Sequence, residues 1–67
     1  MNVEQVIDYS YPCMMAERAL RDLHAAMLHN DHEEAMEHAL TAMTEVKMAY
    51  NSIVLMKEKR YALHQVA

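Results

Sequence analysis

From His32 to near His64 neither glycine nor proline interrupts the sequence, and strong helix formers fill most of the positions. That run predicts a single continuous helix, roughly 50 Å long at about 1.5 Å per residue. Its acids crowd the first turns, and Lys57, Lys59 and Arg60 lie near its end, the order the helix dipole favours. Any fold must therefore be arranged around one long rod. The 67 residues contain no Gly and a single Pro, so few places remain where the chain can turn. An all-α single domain over residues 1–67 follows.

Two breaks stand out upstream of the rod. In "SYP", Pro12 disfavours helical geometry in Tyr11 and suits the first turn of a new helix, with Ser10 or Tyr11 as cap. In "HND", Asn30 and Asp31 can each cap the long helix, and the offsets Asn30/Glu33 and Asp31/Glu34 both match a capping box. Three helices result: a short one over 3–9, a second over 12–29 and the long one over 32–64. The short one rests on Val3, Val6 and Ile7 behind Asn2 and Gln5.

The second helix carries Cys13, Ala16, Leu20, Leu23 and Met27 at spacings of three and four. On the long helix the same spacing joins Ala39, Met43, Val46, Tyr50 and Ile53, with Met36, Leu40 and Val54 beside them. These two stripes are expected to face each other across an antiparallel hairpin. Pro12 would then lie opposite about Ala49, leaving the rod from Tyr50 onward without a partner. Tyr50, Ile53, Val54 and Tyr61 are apolar or aromatic and need cover, from the short N-terminal helix and from a second copy of the chain. Met48, Leu55 and Met56 lie off the main stripe and are candidates for self-association or partner contact. A homo-oligomer, with a dimer favoured, completes the bundle.

The size of the chain points the same way. Domains this small need help from disulfides, metal, tight helix packing or oligomerisation, and the single Cys13 excludes an internal disulfide. The net charge of −4 gives no basic footprint of the kind a dedicated nucleic-acid binder shows. No apolar run approaches the roughly 18 residues of a membrane span, and "MNVEQVIDYS" lacks the pattern of a signal peptide. A soluble cytoplasmic chain is the expectation.

The stretch "NDHEEAMEHALTAM", Asn30 to Met43, resembles the turn and second-helix start of a tetratricopeptide repeat, with Ala35, Ala39 and Ala42 where that pattern wants small side chains. The long helix exceeds a repeat of about 34 residues and there is no second repeat to stack on, so the resemblance implies a helical hairpin and carries no peptide-binding role. More broadly, "LRDLHAAMLHNDHEEAMEHALTAMTEVKMAYNSI" is similar to the short helical-hairpin proteins of tailed phages and prophages. That similarity implies a small non-enzymatic accessory protein that modulates a host or phage protein, located in the host cytoplasm.

The histidines do not assemble a chemical site on spacing alone. A zincin helix needs His-Glu-x-x-His, and Met36 stands where the second histidine belongs. No histidine has the Glu three residues before it that a di-iron bundle uses. His29 and His32 with Asp31 could clip a surface metal at most, and Glu34, His38 and Glu45 share a face expected to point away from the core. Cys13 is expected as a buried thiol and His24 at the core edge. No enzyme, metal or cofactor is therefore assigned. The function expected is a protein-protein interaction module; the alternative is a small nucleic-acid-binding regulator that touches phosphates through Lys57, Lys59 and Arg60.

Overall fold

A computed structural model of the protein describes residues 8–66, with side chains through Glu58. The described residues form a hairpin of two helices, α1 (Ser10–Leu28) and α2 (His32–Val66). The expected helix over 3–9 lies outside the described residues, apart from Asp8 and Tyr9, which precede α1.

The start of α1 is set two residues earlier than the proline suggests. Asp8 Oδ1 accepts hydrogen bonds from the backbone N–H of Ser10 at 2.9 Å and from its hydroxyl at 2.6 Å, so a carboxylate outside the helix takes up one of the first free amides. Pro12 then falls in the first turn, where its missing N–H costs nothing. The hydroxyl bond to Ser10, and next the amide bond, hold the Asp8 carboxyl below its ordinary value of 3.8. A group depressed in the folded state stabilises above its unfolded pKa, and that support is lost as pH falls through the folded value. Amide exchange at Ser10, Tyr11 and Cys13 is accordingly expected to quicken, relative to α2, as the solution is acidified below about pH 4, close to the unbound aspartate value; an Asp8→Asn variant should be insensitive to the change.

The turn is built by local bonding alone. Asn30 takes the left-handed conformation, φ 57°, in a chain that has no glycine to place there. Its N–H bonds Met27 O at 3.0 Å and the N–H of Asp31 bonds Ala26 O at 2.9 Å, the paired arrangement of a Schellman motif. His29 Nδ1–H donates to Ala25 O at 3.0 Å, satisfying another carbonyl of the last turn. Asp31 then caps α2, its Oδ1 accepting the N–H of Glu34 at 3.1 Å, while its own carbonyl accepts the first helical bond from Ala35. Asp31→Ala is expected to cost about 1 kcal/mol in a urea melt, with Asp31→Ser close to neutral.

The two helices meet through alanine. Ala16, Ala19 and Ala26 of α1 and Ala35, Ala42 and Ala49 of α2 are buried, joined by Pro12 and flanked by half-buried Leu23, His38, Glu45 and Ser52. Ala19 is 4% exposed and Ala42 6%, and among the described residues no large side chain is fully buried. Steps of three and four through Ala35, His38, Ala42, Glu45, Ala49 and Ser52 give a coiled-coil seam with a small residue at every seventh position. Small contacts let the backbones approach closely, so van der Waals attraction between main chains replaces interlocked Leu and Met.

This corrects the expected pairing. The stripe Ala39, Met43, Val46, Tyr50, Ile53 is not the intramolecular seam: Met43 is 66% exposed and Tyr50 65%, while Met36, Leu40, Val46 and Ile53 are exposed as well. On α1, Cys13, Leu20 and Met27 turn outward in the same way, and Cys13 is an exposed thiol. The rotation has a simple cause. Two helices alone can bury either a narrow small-residue stripe or a broad large-residue one, and alanines in heptad register allow the closer approach.

Candidate protein-protein interface

The two helices turn their large apolar residues to the same side. α1 presents Leu20 and Leu23, and α2 presents Ala39, Met43 and Val46, to one open groove that also touches Ala42 and the stem of Lys47. By helical repeat, Met27 extends this face toward the turn, and Met36 and Leu40 continue it along α2. Beyond the groove, Tyr50, Ile53 and half-buried Val54 carry the stripe past the start of α1. Lys47 is the charged residue among them.

The opposite side is polar near the turn. Asp22, His29, Asp31, Glu34 and His38 surround a shallow dent. Within it, His38 Nε2 stands 3.9 Å from Glu34 Oε2, one helical turn away. His38 lies at the seam edge and is half-buried, the reverse of the outward orientation expected from the sequence, and His32 is exposed. Among the described residues no three His, Cys, Asp or Glu side chains converge on a point where an ion would sit. Glu45, also at the seam edge, has a buried Oε1 with no hydrogen-bond partner. That oxygen is an uncompensated cost within an otherwise apolar contact.

The residues singled out from the sequence divide between the two sides. Tyr50, Ile53 and Val54 lie on the apolar face. Met48 and Leu55 are exposed on the other flank, about a third of a turn beyond the seam. Met56 joins Tyr9, Ile53 and Lys57 around a small groove where α2 leaves α1 behind. Lys57 is exposed beside Glu58, and the side chains of Lys59, Arg60 and Tyr61 lie outside the described residues.

Sequence reasoning missed Leu20, Met27, Met36, Leu40, Met43 and Val46 as surface residues, because their size assigned them to the core. The signal that could have found them is alanine at sevenfold spacing in both helices, Ala19 and Ala26 in α1 and Ala35, Ala42 and Ala49 in α2. Among the described residues no helix is long and apolar enough to cross a membrane. No known protein family, curated protein or solved structure matches the chain.

Proposed function

We propose that the chain is a non-enzymatic protein-protein interaction module and that the apolar side of the hairpin is its binding surface. One observation carries this: the alanines are inside, and Leu20, Met43, Val46 and their neighbours along both helices are outside, gathered on one face. A contiguous patch of this kind is what interaction surfaces offer and what an isolated soluble domain avoids. Methionines at Met27, Met36 and Met43 suit such a surface, since their flexible thioethers adapt to a partner. The similarity to phage hairpin proteins supports an accessory role of the same kind, modulating a host or phage protein.

Site-specific photo-crosslinking in producing cells tests it. A benzophenone side chain at Met43 should capture protein in discrete adducts, whereas one at Glu37, on the polar side, should not. Equal labelling from both positions, or none from Met43, removes the proposal.

A further inference from the structure

We infer that the partner on the apolar face is a second copy of this chain, with the two α2 helices antiparallel and in contact. The inference rests on the interaction role proposed above and names its occupant.

The first argument is thickness. The hairpin measures 56 × 24 × 13 Å, and its shortest dimension is about that of one helix with its side chains, 10–12 Å. Helical domains bury their apolar faces between two layers, and the described residues form one.

The second is the pattern on that face. Ala39, Met43, Val46, Tyr50 and Ile53 alternate steps of four and three, the spacing with which one helix seats against another. Reversed about Val46, the stripe lays Ala39 against Ile53, small against large, and Met43 beside Tyr50. A stripe that is nearly its own reverse fits the self-complementary contact of a twofold dimer. The same register also resolves the overhang. α2 has 35 residues and α1 has 19, so among the described residues α2 outruns its partner past the groove where Tyr9 meets Ile53 and Met56; centring on Val46 lays Tyr50 and Ile53 across Leu20 and Leu23 of the other copy.

The third is area and charge. Leu20, Met27, Met36, Leu40, Met43, Val46, Tyr50 and Ile53 are each between 41% and 66% exposed. Together they offer on the order of 900 Å² per chain, against about 800 Å² per partner in an interface of standard size. Lys47, at the edge, supplies no charge pattern that would select an acidic or basic partner.

Light scattering of the purified chain at micromolar concentration should give twice 7.8 kDa. Folding coupled to dimerisation should raise the melting temperature by about 5 °C per tenfold increase in concentration. Met43→Asp should weaken association at least a hundredfold, and Thr41→Asp, on the polar side, should leave it unchanged. In a Cys13→Ser background, Val46→Cys should oxidise to a covalent dimer, since a disulfide needs Cα atoms within about 7 Å, and Thr41→Cys should not. If Met43→Asp fails to fold, the concentration dependence and the two cysteine variants still decide. A folded monomer with a concentration-independent melt overturns the inference. So does a dimer that Met43→Asp leaves intact, or one that cross-links more readily in the Thr41→Cys variant than in the Val46→Cys variant. Should the chain be monomeric while the Met43 probe captures a different protein, the second copy is excluded and the interaction role stands. A monomer with no capture removes both.

Discussion

Placing leucine at Ala42 is expected to destabilise the protein by about 3 kcal/mol, the upper end of the usual cost of overpacking. Ala42 sits mid-seam at 6% exposure, where the contact consists of alanine against the neighbouring backbone. A leucine adds three carbons at a position that is 6% exposed, so it is expected to twist off its preferred angles or push the helices apart. Separation would loosen Ala35 and Ala49, one heptad away on each side, as well as the mutated position. The control is the same residue placed next door: Met43→Leu, on an exposed position, should change stability by less than about 0.5 kcal/mol in the isolated hairpin. Had the larger residues formed the intramolecular seam, the two substitutions would rank in the opposite order. Urea denaturation below the concentration at which the chain associates measures both.

Replacing Asn30 by valine should have the next largest effect, about 1–2 kcal/mol, the cost of forcing a residue with a branched Cβ into left-handed geometry. For a chain of this length that lowers the melting temperature of the hairpin by about 7–14 °C. The turn has no spare parts: Asn30 and Asp31 donate to the carbonyls of Met27 and Ala26, and both bonds require φ near 57° at Asn30. Asn30→Gly, which relieves the Cβ clash, should hold stability at or above that of the original protein. Thermal melts of the pair decide the point, and a valine variant that melts with the parent would contradict the role given to the turn.

The hinge was legible in the sequence because everything that makes it is local. Asn30 and Asp31 combine the left-handed and capping tendencies of their side chains, Glu34 stands at the right offset, and α2 starts at His32 as expected. The helical class was legible for a similar reason, in the absence of breakers after Asp31. What could not be read was the rotation of each helix about its own axis. Met43 and Ala42 are neighbours in sequence, and hydrophobic size favours Met43 for the core; the alanine register favours Ala42, and main-chain proximity decides it. A chain with two candidate seams does not say which one it uses on itself. The exposed Cys13 follows from the same rotation, and the Asp8 bonds to Ser10 were overlooked because the proline drew the start of α1 to itself.

The outward methionines have a redox consequence. Met27, Met36 and Met43 stand on the face that needs cover, and oxidation would turn each thioether into a polar, chiral sulfoxide. A covered face shields those sulfurs from peroxide, and an oxidised one no longer repels water well enough to be covered. In the proposed dimer, assembly and oxidation would therefore oppose each other at the same atoms, and without sulfoxide reductases the oxidised chain would stay outside it. The alanines of the seam carry no sulfur, so the contacts they make would outlast that chemistry.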